Sequence, residues 1–120
     1  MKTKILSPRR GEVWLANLDP TIGMEMKKTR PALVISSDAM GKLALKLIVP
    51  ITDCKENFAG NLWHVRVDPD SKNGLVKPSA VDALQIRCVD QRRLVKRLGR
   101  LDAQKLEDVA AAIAAIVEYA

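Results

Sequence analysis

Residues 102–117 read DAQKLEDVAAAIAAIV. Leu106, Val109, Ala110, Ile113, Ile116 and Val117 recur at the spacing of one helix face. Asp102 offers an N-cap oxygen just ahead of them. The stretch therefore predicts an amphipathic helix whose alanines allow close packing on the layer beneath. That layer has to come from the residues before it, which form short apolar runs punctuated by turn signals.

Moving outward from the helix, Glu12–Leu18 (EVWLANL) is a strand candidate that Asp19-Pro20 ends, and a polar loop with Gly23 follows. Pro31–Ser36 (PALVIS) is continuously apolar, which predicts a strand buried on both faces. Residues 43–51 (LALKLIVPI) form a third strand. Pro50 lacks an amide donor, so a strand end, a bulge or a sheet edge is expected there. Thr52–Asn61 reads as a polar loop, and Leu62–Val67 alternates like a strand. Pro69–Pro78 is rich in turn residues, with Asn73-Gly74 as a tight-turn signal. Ser79–Val89 holds one or two short strands, and Lys96–Leu98 adds a last one. Short strands closed by one long helix predict the α+β class, as a compact, strongly bent antiparallel sheet or small SH3-like barrel. The 120 residues make one domain. Residues 1–10, MKTKILSPRR, read as a basic arm and residues 11–120 as the folded body.

Twenty basic residues against fourteen acidic ones give a net charge of +6, which favours a polyanionic partner. Solubilising surface charge is the plainer alternative. The basic residues cluster at Lys2, Lys4, Arg9 and Arg10, at Lys27, Lys28 and Arg30, and at Arg87, Arg92, Arg93, Lys96, Arg97 and Arg100. Trp14, Phe58, Trp63 and Tyr119 are the aromatic residues, too few to suggest a base-stacking platform. Two cysteines, Cys54 and Cys88, indicate no disulfide framework and fit a reducing cytoplasmic compartment. No signal-peptide apolar core and no membrane-spanning run are evident.

The same residues narrow the chemistry. His64 is the one histidine, so a histidine pair for acid–base work is missing, and its place in an alternating strand suggests surface or packing. One His and two distant Cys do not make a zinc site. Glu12, Asp19, Glu25 and Asp53 lack a recognisable metal-binding spacing. No phosphate-cradling or dinucleotide glycine motif and no nucleophile elbow is present. An enzyme built on this chain is expected to use no metal and no organic cofactor. What remains is arginine, hydroxyl and phosphate. Arg30 stands before Pro31 at a loop-to-strand junction, and its guanidinium fork matches phosphate oxygens. Thr52 stands at the end of the third strand with a hydroxyl to donate. The alternative is structural: Arg30 pairs with Glu25 and Thr52 caps a turn. The pattern alone leaves both open.

At these residues the chain resembles the MazF/PemK family of toxin endoribonucleases. The resemblance starts at Gly11–Pro20 (GEVWLANLDP) and continues through Gly23, Glu25, Arg30 and Pro31. It extends through Ile48–Thr52 (IVPIT) and Ser79–Arg87 (SAVDALQIR), then Asp90, Arg93, Leu94, Gly99 and the terminal helix. It covers residues 9–118. The resemblance implies a homodimeric, barrel-like sheet with helices, related also to the CcdB topoisomerase poisons. It implies sequence-selective, metal-independent cleavage of single-stranded mRNA to 2′,3′-cyclic phosphate and 5′-hydroxyl ends, with a cognate antitoxin as partner. The catalytic arginine and threonine of the family fall on Arg30 and Thr52. RNA contacts are expected from Lys27, Lys28, Asp53, Gln85 and Arg87. A guanidinium stays charged near neutral pH, so Glu25 is the carboxylate candidate for the 2′-hydroxyl proton, or else an orienting partner for Arg30. Met26 and Leu84 depart from the family pattern, which often has Gln and an acidic residue there. The rival function is a CcdB-like gyrase poison without nuclease activity, acting through exposed helix residues such as Glu118 and Tyr119.

Overall fold

In the computed structural model, which describes residues 7–119, Asp102 accepts the Lys105 amide at 2.8 Å and starts the helix α1, Ala103–Ile116. Lys2 and Lys4 of the basic arm lie outside the described residues. The arm's described end is fixed to the body: the Arg9 amide donates to Glu12 Oε1 at 2.7 Å and the Arg10 amide to Asp38 Oδ1 at 2.9 Å.

Among the described residues seven strands precede the helix: β1 (Glu12–Asn17), β2 (Thr29–Val34), β3 (Leu45–Asp53), β4 (His64–Val67), β5 (Ser79–Asp82), β6 (Arg87–Asp90) and β7 (Leu94–Arg100). Every pairing is antiparallel. The strand order is β4-β5-β3-β2-β1-β7, with β6 also on β3. This is the expected α+β arrangement of one antiparallel sheet with a terminal helix.

β3 holds the sheet together because it serves three neighbours. Its residues 48–50 pair with β2, 45–48 with β6 and 51–53 with β5. Pro50 is thus neither a strand end nor a sheet edge. It stands in the gap between the β6 and β5 ladders, where an amide donor is not needed for either. The strand runs on through Thr52 and Asp53, which were expected in a loop.

Two boundaries shift. Leu62 and Trp63 form a turn instead of opening β4. β7 is seven residues long where Lys96–Leu98 was expected, and among the described residues it is an edge strand paired with β1. Its solvent-facing Lys96 and Arg97 masked its apolar pattern, and charge of this kind protects an exposed edge.

The apolar run of β2 is buried on both faces, as its sequence predicts. Leu33 joins Val13, Val49, Ile51, Val81 and Val109 in a core beneath α1. Ala32 and Val34 face the other way, into a second core with Ala16, Leu18, Ile48, Val89 and Leu94.

Candidate active site

β2 and β3 set the site by register. Ala32 is opposite Pro50 and Val34 opposite Ile48, so the same ladder extended by two residues puts Arg30 opposite Thr52. Both project from the face that carries the second core, away from α1. Arg30 is half-buried. Its Nε donates to the Lys27 carbonyl at 2.8 Å, and an Nη donates to Thr52 Oγ1 at 3.4 Å. Among the described residues no carboxylate is in ion-pair range of this guanidinium. The two side chains line a cleft of about 210 Å³ with Pro31, Asp53, Lys77 and Ser79. At its rim Lys77 Nζ meets Asp53 Oδ1 at 2.8 Å. That hydrogen bond holds the Asp53 carboxyl below its ordinary value. The charges of Lys77, Arg30 and Lys55 reinforce it against a smaller desolvation effect.

The structural alternative for this pair is not what forms. The Glu25 carboxylate accepts the Ile22 amide at 2.6 Å within its own loop and does not reach Arg30. Thr52 is a strand residue paired with Ala80, not a turn cap. Lys27 and Lys28 are exposed, and Lys28 adopts a left-handed φ of 71°.

Gln85 and Arg87 have internal partners. The Gln85 carboxamide bonds the backbone of Met24 and Met26, and Arg87 donates to the Leu18 carbonyl at 3.1 Å. Arg93 donates to the carbonyls of Asn17 and Asp19. These three side chains tie the β1–β2 loop to the β6 side of the molecule. Met26 packs against the second core, whereas Leu84 is exposed.

His64 is a packing residue with more partners than its pattern suggested. Its ring stacks on Phe58 with centroids 3.7 Å apart, and Nε2 is 3.5 Å from Asp82 Oδ2. Asn61 lies 3.2 Å from Nδ1. The His64–Asp82 pairing follows from the β4–β5 register, which no local pattern reveals. Beside it a second cleft of about 410 Å³ is lined by Cys54, Lys55, Phe58, Arg66 and Ala80. Cys54 and Cys88 are free thiols. Among the described residues no three His, Cys, Asp or Glu side chains converge as metal ligands. No described helix is long and apolar enough to cross a membrane.

With this geometry in view, comparison with known proteins finds one consistent group. The family model for the PemK-like, MazF-like toxin of type II toxin–antitoxin systems matches residues 9–117. The endoribonuclease MazF of Staphylococcus saprophyticus is 36% identical over 105 residues, which is 88% of this chain and 87% of that protein. The crystal structure of MazF from Deinococcus radiodurans superposes with a TM-score of 0.79 at 26% identity, covering 95% of this chain and 99% of that one. A MazE–MazF crystal structure from the same organism shares the fold, with a TM-score of 0.74 at 24% identity over 97% and 100% of the two chains.

Proposed function

The chain belongs to the PemK-like, MazF-like toxin family of type II toxin–antitoxin systems, and on that premise we propose that it is an endoribonuclease that cuts single-stranded mRNA at the Arg30–Thr52 cleft. The observation that carries this assignment is a guanidinium fixed by a backbone carbonyl and a hydroxyl, with no described carboxylate within ion-pair distance of it. Its remaining N–H groups suit a phosphate.

The 2′-hydroxyl oxygen attacks the adjacent phosphorus as its proton passes to water, the bond to the 5′-oxygen breaks, and that oxygen takes up a proton from water. The products are a 2′,3′-cyclic phosphate and a 5′-hydroxyl. Arg30 offsets the charge that builds on the phosphorane, and Thr52 adds a hydrogen bond. Holding the 2′-oxygen in line with the scissile bond supplies much of the remaining rate. Lys27 and Lys28 attract the RNA backbone, and Asp53 and Lys77 form the polar rim of the cleft. Glu25 stays bound to the Ile22 amide, so Asp53 is the carboxylate that lines this cleft. The reaction needs no metal or cofactor, since charge stabilisation comes from Arg30. The single domain of residues 11–120 works as a homodimer in the cytoplasm, where a cognate antitoxin covers the RNA groove.

A gyrase-poison function is not favoured, because the family match is to the PemK/MazF toxins and extends over the Arg30 and Thr52 segments. The test is incubation of the protein in EDTA with long mRNA, whose cut sites are mapped by 5′-end sequencing, and then with an oligonucleotide that spans one of them. We expect cleavage to 5′-hydroxyl and cyclic-phosphate ends, and resistance when one deoxyribose replaces the ribose 5′ to the cut. Cleavage of the deoxyribose-containing strand at the same bond, or intact RNA, would reject the mechanism.

A further inference from the structure

The β1–β2 loop runs alongside Arg30, and beside its own local bonds its backbone is held by side chains from distant parts of the chain. Gln85 bonds it twice: Oε1 accepts the Met26 amide at 3.1 Å and Nε2 donates to the Met24 carbonyl at 3.2 Å. One carboxamide here does the work of a neighbouring strand. The next residue, Lys27, presents the carbonyl that receives Arg30 Nε at 2.8 Å. On its far side the Lys28 amide donates to Asp19 Oδ1 at 2.9 Å, and the Lys28 carbonyl accepts the Leu18 amide at 3.0 Å. The Lys27 carbonyl is therefore pinned from both directions, and it touches the guanidinium directly.

We propose that Gln85 is a positioning residue for the Arg30 guanidinium, acting through the Met24–Lys27 backbone and not through contact with RNA. The proposal rests on Arg30 being the phosphate ligand. An arginine side chain has many rotamers, and an Nε anchor removes most of them before substrate arrives. A misplacement of roughly 1 Å at a reacting group can cost on the order of 10²-fold in rate. The role needs a carboxamide, because only that group both accepts from Met26 and donates to Met24. Glu at this position keeps the acceptor and loses the donor. Ala loses both.

The experiment compares Gln85→Ala and Gln85→Glu with the parent protein and with Arg30→Ala. Single-turnover cleavage is measured on an RNA oligonucleotide spanning a site mapped by 5′-end sequencing. Affinity is measured on the same oligonucleotide with one deoxyribose at the cut. The Arg30 Nε–H resonance is followed by ¹⁵N NMR, and thermal unfolding checks the fold. We expect Gln85→Ala to lower the cleavage rate by about 10- to 100-fold while affinity changes by less than about threefold. Gln85→Glu should fall between Ala and the parent. The Arg30 Nε–H signal should shift or broaden in both variants. An unchanged rate with an unchanged Nε–H signal would overturn the proposal. So would a loss of affinity that accounts for the whole loss of activity, since that marks Gln85 as an RNA contact. Failure of the Arg30 assignment itself is separable: it shows as retained cleavage by Arg30→Ala, whatever Gln85 does.

Discussion

Arg97 and Arg30 occupy the same sheet and differ in what meets their charge. Arg97 Nε donates to Glu12 Oε2 at 2.8 Å, and the same carboxylate accepts the Trp14 indole at 3.1 Å and the Arg9 amide at 2.7 Å. Arg97 therefore belongs to a structural cluster, whereas among the described residues the hydrogen-bond partners of the Arg30 guanidinium are a carbonyl and a hydroxyl. Burial alone would raise the Glu12 carboxyl. The hydrogen bonds from Arg9, Trp14 and Arg97, with the Arg97 charge, outweigh it and leave Glu12 below its ordinary 4.5. Its stabilising contribution is then complete above about that ordinary value and disappears as pH falls through the lower folded one. Glu12→Gln should cost about 1–2 kcal/mol at pH 7 and flatten the loss of stability below pH ~4.5. Urea unfolding between pH 3 and 7 checks it, and an acid limb as steep as the parent's would count against the account. At this scale the sequence made Arg30 and Thr52 visible as residue types. Their juxtaposition came only with the β2–β3 register, and the internal partners of Gln85 and Arg87 lie some sixty or more residues away, beyond any local pattern.

At the scale of elements, runs with a clear period were legible: β1, β2, β3 and α1 lie within a few residues of their expected bounds. Elements defined by partners were not, and the segment before β5 shows why. Asn73-Gly74 marked a turn, but Asn73 is fully buried and organises it. Its Nδ2 donates to the Asp68 carbonyl at 2.9 Å, and its Oδ1 accepts the Leu75 amide at 3.0 Å and the Asp70 amide at 3.3 Å. Gly74, at φ +72°, abuts the Leu98 carbonyl, and Gly99 on β7 abuts the Lys72 carbonyl, so a Cβ at either would collide. The turn and the edge strand thus lock by mutual close approach, which requires both glycines. Asn73→Ala leaves the buried Leu75 amide unpartnered and should destabilise the protein by about 2 kcal/mol, read as a lowered urea midpoint. A midpoint within error of the parent would show that the turn holds without this side chain.

At the scale of the whole molecule, the net charge of +6 pointed to a polyanion, but composition does not say which cations are free. Arg87 and Arg93 are engaged with loop carbonyls, Arg97 with Glu12 and Lys77 with Asp53. Lys27 and Lys28 are exposed beside the cleft. Removing both by alanine should weaken RNA binding and reduce the slope of log affinity against log salt by about 1.4, at roughly 0.7 per phosphate contact on a single strand. An unchanged slope would mean that the RNA backbone passes elsewhere. The central claim is tested most directly by Arg30→Ala, assayed on single-stranded RNA in EDTA beside the parent protein, with thermal unfolding of both. The variant is expected to unfold at the parent's temperature and to leave the RNA intact. Cleavage at near the parent's rate by a folded Arg30→Ala variant would contradict it.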